Sequence, residues 1–149
     1  MLIDEQLDHG KIIAQEILDI PLPIERLALE RALAHLSGRL LAETIPEWVA
    51  GSIKAQEQNH FIATYTKKIK KEDGLIELVN LKKNSETLYR KFCAYKEWPS
   101  LYFFTQKGAE KKRVIVKEAV LENGVFVIKK VLPEGRTEMS WSEFQRSFT

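Results

Sequence analysis

The chain has 149 residues, of which 44% are hydrophobic and 30% charged, and its formal net charge is +2. These values fit one folded domain, or a small domain joined to a piece of a larger neighbour, and they exclude a disordered or fibrous chain. The apolar runs are far shorter than the roughly 18 residues of a membrane span. A single cysteine excludes an internal disulfide, and the acidic N-terminus lacks a signal-peptide pattern. We therefore expect a cytoplasmic protein without a membrane anchor.

The charge is distributed unevenly along the chain. Residues 1–53 contain 4 Lys and Arg against 9 Asp and Glu, a net charge of −5, whereas residues 54–149 contain 19 against 12, a net charge of +7. A polyanion would bind to the basic part. Charge alone, however, favours the simpler interpretation that these lysines and arginines solvate the faces of strands.

The N-terminal third predicts one strand and one long helix. KIIAQEIL at residues 11–18 is a short apolar run typical of a strand. From Ile24 to Trp48 apolar residues recur every three or four positions, which predicts an amphipathic helix that Pro46 ends or bends. The apolar face consists of Leu29, Leu33, Leu36, Leu40, Leu41, Ile45 and Trp48.

The middle of the chain loses this periodicity. Residues 52–73 are predicted to be a linker, and GLIEL at residues 74–78 is compatible with a strand. A helix is expected over Glu86–Lys96, with Asn84 or Ser85 as its N-cap. Its buried face should contain Leu88, Phe92 and Tyr95.

Three runs rich in β-forming residues follow, at residues 101–105, 112–122 and 125–132. Asn123-Gly124 between the last two predicts a two-residue hairpin turn, because both positions of that turn need positive φ. The strand should break at Pro133, and a short helix should run from Ser142 to Phe148. This order of elements predicts an α+β fold whose C-terminal part is a small, partly open antiparallel barrel.

Motifs for familiar catalytic chemistry are not found. His9, His35 and His60 have no spacing typical of a metal site, so we expect no metal. Asp4, Glu5 and Asp8 form an acidic cluster that is compatible with a general base, a cation site or a solvated loop. The residues alone favour the solvated loop, because the stretch shows no convincing partner for a proton acceptor.

Basic residues are the strongest binding signal in the sequence. A run of lysines follows Phe61 and Tyr65, and a further basic pair begins the second β-rich run. Such residues contact phosphates without reading base sequence, which would make a sequence-tolerant RNA grip. The equally weighted alternative is a solvated linker. The candidate RNA-binding residues are Lys67, Lys68, Lys70, Lys71, Lys112 and Arg113.

Four blocks, in order, resemble methionyl-tRNA formyltransferases. DEQLDHGKIIAQE at residues 4–16 resembles the motif in which a Leu-Asp-x-Gly turn precedes a strand, and ATYTKKIKKEDGLIEL at residues 63–78 resembles the connection to the C-terminal domain. Trp98-Pro99 is similar to the corner between helix and strand, and LPEGRTEMSWSEF at residues 132–144 is similar to the closing motif. Together they cover nearly the whole chain.

The resemblance implies a fold and a domain division. Residues 1–51 would be the last strand and helix of a Rossmann-like catalytic domain, residues 52–73 the linker, and residues 74–149 an OB-like C-terminal domain that holds tRNA. Most of the catalytic domain would then lie outside this chain, which we expect to be a fragment. Its remnant strand and helix would be prone to self-association.

The resemblance also implies a reaction. The parent enzyme transfers a formyl group from 10-formyltetrahydrofolate to the amino group of initiator methionyl-tRNA, and Asp8 matches the family's catalytic aspartate. The Asn and His that stabilise the oxyanion have no counterpart here, so we expect this chain alone to bind no cofactor and to be inactive. The alternative is a non-enzymatic RNA-binding or protein-interaction module derived from such an enzyme.

Overall fold

A computed structural model describes residues 1–20, 23–107 and 110–148. The chain divides into two compact units, which we describe separately. Unit 1 consists of Met1–Leu22 with Leu27–Lys67, and unit 2 consists of Pro23–Arg26 with Lys68–Thr149. The domain boundaries expected at residues 51 and 73 stay predictions. Among the described residues, no helix is both long enough and apolar enough to cross a membrane.

The long N-terminal helix is confirmed. Helix α1 spans Arg26–Val49, and Pro46 lies inside its last turn instead of ending it. Gly51 follows with a φ of +73°, and the Ser52 N–H donates to the Glu47 carbonyl at 2.9 Å. This left-handed glycine closes the helix, because a residue without Cβ adopts that conformation at little cost.

The apolar face of α1 is only partly covered. Leu29, Leu36 and Leu40 are half-buried, whereas Leu41 and Ile45 are about half exposed. Only Thr44 is fully buried along the described helix. The helix therefore forms with the predicted spacing but leaves much of its apolar surface in water.

The strand predicted over residues 11–18 is wrong. Ile12 alone pairs, through two hydrogen bonds of 2.8 Å with Gln56, and the described residues around it adopt no regular structure. A strand needs a neighbour along its length to satisfy its N–H and C=O groups, and here one residue supplies that neighbour. The remnant of a Rossmann-like sheet thus stays an inference from resemblance.

Unit 2 is built on a four-stranded antiparallel sheet, which confirms the α+β class. The strands are β1 (Tyr102–Lys107), β2 (Glu110–Glu122), β3 (Val125–Pro133) and β4 (Met139–Ser140), in that spatial order. Asn123 and Gly124 have φ values of 49° and 76°, as the predicted hairpin turn requires. In the part of the sheet that is described, β1 and β4 are edges, so the OB-like barrel stays a prediction.

The predicted strand at residues 74–78 reduces to one parallel bridge. Leu75 bridges Tyr102, and the Ile76 N–H donates to the Tyr102 carbonyl at 2.8 Å. The rest of the predicted linker contains short 3-10 turns at His60–Ile62 and Lys71–Gly74. The second of these turns places Lys71 in one pocket with Tyr102, the first residue of β1.

Two helices cover the inner face of the sheet. Helix α2 spans Ser85–Ala94 and helix α3 spans Trp141–Phe148, each within two residues of its predicted bounds. Phe92 of α2 meets Phe126 of β3 at 6.3 Å between ring centroids, and Phe144 of α3 meets Phe103 of β1 at 5.7 Å. The predicted buried face of α2 is confirmed, since Leu88 and Tyr95 also pack on this core.

Helix α3 begins with a reciprocal cap. The Ser140 N–H donates to the Glu143 carboxylate at 2.8 Å, and the Glu143 N–H donates to the Ser140 hydroxyl at 3.3 Å. Hydrogen bonds from Ser140 lower the pKa of Glu143 below its ordinary value. The cap satisfies two backbone donors at the helix start and fixes where Phe144 enters the core.

Adjacent phenylalanines of β1 provide a matched stability test. Phe103 is 1% exposed and Phe104 is 42% exposed, because neighbouring residues of a strand point to opposite faces. We expect Phe103→Ala to lower the free energy of unfolding by about 3–5 kcal/mol through loss of buried contacts. Phe104→Ala should cost about 1 kcal/mol or less. Urea unfolding would measure both, and equal losses would contradict the assigned faces.

Candidate functional site

The turn that carries Asp8 is held by unit 1 alone. Asp8 has a φ of +54°, a left-handed conformation that aspartate tolerates better than most residues. The side-chain amide of Gln58 donates to the carbonyls of Asp8 at 3.0 Å and Gly10 at 2.7 Å. One side chain far along the sequence thus fixes both ends of the His9 peptide segment.

Gly10 has a steric reason to be glycine. A Cβ at this position would lie 2.0 Å from the Leu2 carbonyl oxygen, a backbone atom that cannot move aside easily. The Leu2 N–H also donates to the Lys11 carbonyl at 2.8 Å, which holds the two segments together. The glycine of the Leu-Asp-x-Gly block therefore permits the close approach that shapes the turn.

His9 joins the acidic cluster to a second histidine. Its Nδ1 lies 2.7 Å from the Asp4 carboxylate, and its ring stacks on His60 with centroids 3.9 Å apart and an interplanar angle of 8°. The expectation that this stretch lacks a positioned partner is therefore wrong. Asp4 and His9 are five residues apart, and a turn brings them together.

The carboxylates of the acidic cluster have different surroundings. The hydrogen bond from His9, supported by the Gln6 N–H at 2.9 Å, lowers the pKa of Asp4. Asp8 is exposed, and within the described part of the chain no hydrogen bond to its carboxylate is seen. Asp8 is thus accessible to a ligand, whereas Asp4 is occupied by His9.

The lowered pKa of Asp4 is testable. The Asp4–His9 contact favours the carboxylate, so its stabilisation is present above the ordinary value of 3.8 and is lost as pH falls through the lowered pKa. In His9→Ala we expect the pKa of Asp4 to rise toward 3.8, measured by carboxyl ¹³C NMR. His35→Ala, an exposed histidine on α1, is the control. An unchanged titration in His9→Ala would contradict the contact.

Metal and thiol chemistry receive no support from the described residues. Across residues 1–20, 23–107 and 110–148, no three His, Cys, Asp or Glu side chains converge as metal ligands. Cys93 is buried within the core, and burial raises the pKa of its thiol. It is a packing residue, since a nucleophilic cysteine needs an accessible thiolate.

The predicted lysine run is open to solvent. Every residue from 61 to 70 is exposed, including Lys67, Lys68 and Lys70. The Lys70 N–H donates to the Asp73 carboxylate at 2.7 Å, which starts the turn that contains Lys71. The side chains of this run are therefore placed where a polyanion could reach them.

Lys112 and Arg113, the basic pair on β2, point to opposite faces of the sheet. Arg113 pairs with Phe104 and Lys112 pairs with Thr105, so the two cationic side chains lie on opposite faces. Arg113 lies 5.8 Å from the Tyr102 ring centroid, whereas Lys112 pairs with Glu110 at 3.1 Å. The two side chains therefore cannot share one contact, and their part in RNA binding stays a prediction. Lys71 and Arg113, however, line one pocket together with Tyr102 and Phe104.

Sequence comparison supplies the relatives of this chain. A methionyl-tRNA formyltransferase of Chloroflexus aggregans is 38% identical over 104 residues, which cover 70% of this chain and 33% of that protein. Those of Roseiflexus castenholzii and Helicobacter pylori are 31% and 35% identical, over 78% and 68% of this chain. The chain is related to the methionyl-tRNA formyltransferases. No family model matches it.

The chain spans about a third of the length of these methionyl-tRNA formyltransferases, with matches that cover 33%, 36% and 32% of the three relatives. Such coverage is what a C-terminal portion would give. The resemblance found in the four sequence blocks is therefore confirmed at the level of the family. Residue roles within the chain stay predictions.

The sequence did not predict that Gln58 and His60 contact the Asp8 turn. Gln58 fastens the Asp8 turn, and His60 stacks on His9, yet both lie about fifty positions away in a stretch without periodicity. The one sequence signal for this region was the block at residues 4–16, which resembles methionyl-tRNA formyltransferases and contains Asp8. The sequence pattern gave no signal for these two contacts. They lie between irregular segments that are joined by one backbone bridge, from Ile12 to Gln56.

Proposed function

We propose that this chain is the C-terminal part of a methionyl-tRNA formyltransferase and that it grips methionyl-tRNA through its basic residues. Sequence identity of 31–38% over roughly two thirds or more of the chain supports this assignment. Residues 1–51 would complete the catalytic domain, and residues 74–149 would form the RNA-holding domain after a linker at 52–73. Its compartment would be the cytoplasm, where translation begins.

The grip consists of exposed lysines and one strand arginine. Lys67, Lys68 and Lys70 lie in an exposed segment without regular structure, so counterions bound to RNA phosphates can be displaced without unpacking a core. Arg113 and Lys71 share a pocket on unit 2. Lys112 contributes from the opposite face, and its pairing with exposed Glu110 is weak enough for a phosphate to replace.

Asp8 would serve the catalytic domain of the parent enzyme. In the proposed reaction the amino group of initiator methionyl-tRNA attacks the formyl carbon of 10-formyltetrahydrofolate, and the bond from that carbon to the folate nitrogen breaks. With help from Asp8, the attacking amine loses one proton and the leaving folate nitrogen gains one. The left-handed turn leaves its carboxylate exposed for this role. An oxyanion site must come from residues outside this chain.

The exposed apolar face of α1 supports the proposal that the rest of the catalytic domain lies outside this chain. Leu33, Leu41, Ile45 and Val49 are each more than 40% exposed. Burying such side chains is worth about 1.5–3 kcal/mol each. We infer that the rest of a catalytic domain covers this face, and that the isolated chain self-associates through it.

A reconstitution assay tests the catalytic part of the proposal. We expect no formyl transfer to methionyl-tRNA by the chain alone, and transfer when a matching N-terminal catalytic fragment is added. In that mixture Asp8→Asn should lower the rate about 10²- to 10⁴-fold, as loss of a general base does. Asp19→Asn, an exposed carboxylate outside the turn, is the control.

Two outcomes of this assay would count against the proposal. Transfer by the isolated chain would show that the chemistry is complete within it. Failure of every mixture, with RNA binding intact, would favour the alternative of a non-enzymatic RNA-binding module.

A salt titration tests the grip. We expect Lys70→Ala/Lys71→Ala to weaken binding of initiator methionyl-tRNA and of an unrelated tRNA alike, and to reduce the slope of log K against log salt by roughly one to two units, because each phosphate contact contributes nearly one. Removing Lys67 and Lys68 as well should enlarge both effects. Fluorescence anisotropy would measure the affinities.

The control is a second adjacent pair of exposed lysines, Lys82→Ala/Lys83→Ala, in the turn before α2. This variant removes the same charge from the same unit but from outside the proposed grip. Equal losses of affinity in both double variants would show that the RNA responds to total charge and not to the proposed grip. Absence of binding at low salt would refute the grip.

A further inference from the structure

One face of the β1–β2 ladder combines exposed aromatic surface with cations. Tyr102, Phe104 and Arg113 share this face, which points away from the buried Phe103 and Val114. Lys71 and the carboxylates of Glu72 and Glu134 complete the lining of the same pocket. We call this surface, with Lys111 added, the aromatic platform.

The rings of the platform are held in a fixed arrangement. Tyr102 is 6% exposed, and its ring meets that of Phe104 edge-on, with centroids 5.7 Å apart and an interplanar angle of 88°. Phe104 is 42% exposed. The buried Tyr102 ring therefore packs against the Phe104 ring, and part of the Phe104 ring is open to solvent.

Cations lie directly over these rings. The Lys111 ammonium is 4.4 Å from the Phe104 ring centroid, and the Arg113 guanidinium is 5.8 Å from that of Tyr102. Cation–π attraction at a partly exposed site is weak, so these side chains can turn to an anion without a large loss. The platform thus offers an apolar plane beside positive charge.

The opposing carboxylates do not cancel this charge. Glu134 lies in the platform, but its carboxylate accepts a hydrogen bond from the Arg113 backbone N–H at 3.2 Å, which occupies one of its oxygens in shaping the turn after β3. Three cationic side chains then face two carboxylates, those of Glu72 and Glu134. The balance favours an anionic ligand that also has a flat ring.

We propose that the platform binds an unpaired nucleotide of the RNA, with the base stacked against Phe104 and its phosphates neutralised by Lys71, Lys111 and Arg113. A base inside a duplex exposes no ring face, so the ligand is a single-stranded segment. Stacking is tolerant of base identity, because every base has a π-face. This inference rests on the proposed function and adds to it a base-contacting residue.

The experiment compares short unstructured RNA with abasic RNA of the same length, which has the same phosphates but no bases. Anisotropy titrations would use the full chain, Phe104→Leu, Lys111→Ala and the control Leu121→Ala. Phe104→Leu keeps an apolar side chain and removes the ring. Leu121 lies eight positions along β2 from Arg113, outside the platform, and its loss should leave the affinity for both RNAs unchanged.

We expect Phe104→Leu to lower affinity for the base-containing RNA about five- to 100-fold, the range for removal of one stacking ring, and to leave binding of abasic RNA and the salt slope unchanged. Lys111→Ala should instead reduce the salt slope for both RNAs by about 0.7 unit, the value for one phosphate contact on a single strand. Together these results would assign the base to Phe104 and a phosphate to Lys111.

Other outcomes separate this inference from the proposed function. Equal binding of both RNAs by the wild type, or an equal loss for both in Phe104→Leu, would overturn the platform while leaving the lysine grip intact. Absence of binding to any RNA at low salt would refute the grip itself and the platform with it.

Discussion

The alternation of side chains along β1 and β2 is the constraint on which the proposed RNA surface depends. Phe103 and Val114 must be buried to close the core, and a strand places successive side chains on opposite faces. Phe104 and Arg113 are therefore forced outward together. Burial on one face sets the register, and the register assembles the aromatic platform on the other. A slip by one residue would bury Arg113 and destroy both surfaces.

In the N-terminal unit, the Asp8 turn is held by polar contacts and not by a buried core. Its turn depends on a glycine that permits backbone contact with Leu2 and on Gln58, whose amide fastens two carbonyls. Polar contacts of this kind fix geometry while contributing little burial. Asp8 is exposed in this turn and is followed in sequence by His9, whose ring stacks on His60. In the proposed function, this turn would present the Asp8 carboxylate to the rest of the catalytic domain.

The two units therefore play different parts in the proposed enzyme. Unit 2 has an aromatic core covered by helices, and its outer pocket contains Lys71 and Arg113, which the proposal assigns to RNA. Unit 1 leaves apolar residues of α1 in water, and the relatives are about three times as long as the matched segment. Both facts agree with a catalytic domain that extends beyond this chain. In the proposed enzyme, formyl transfer would combine the Asp8 turn with groups that lie outside this chain.

The sequence by itself determined the elements whose signals are local: α1 from its apolar period, the hairpin from Asn123-Gly124, and the family from ordered blocks. Tertiary structure decided what depends on distant partners. Residues 11–18 have strand-forming composition, but within the described part of the chain their one bridge is from Ile12 to Gln56, so no strand forms there. Lys112 and Arg113 are neighbours in sequence and opposed in space, whereas Lys71 and Arg113 meet only after folding. Local pattern sets conformation, but only packing sets which side chains share a site.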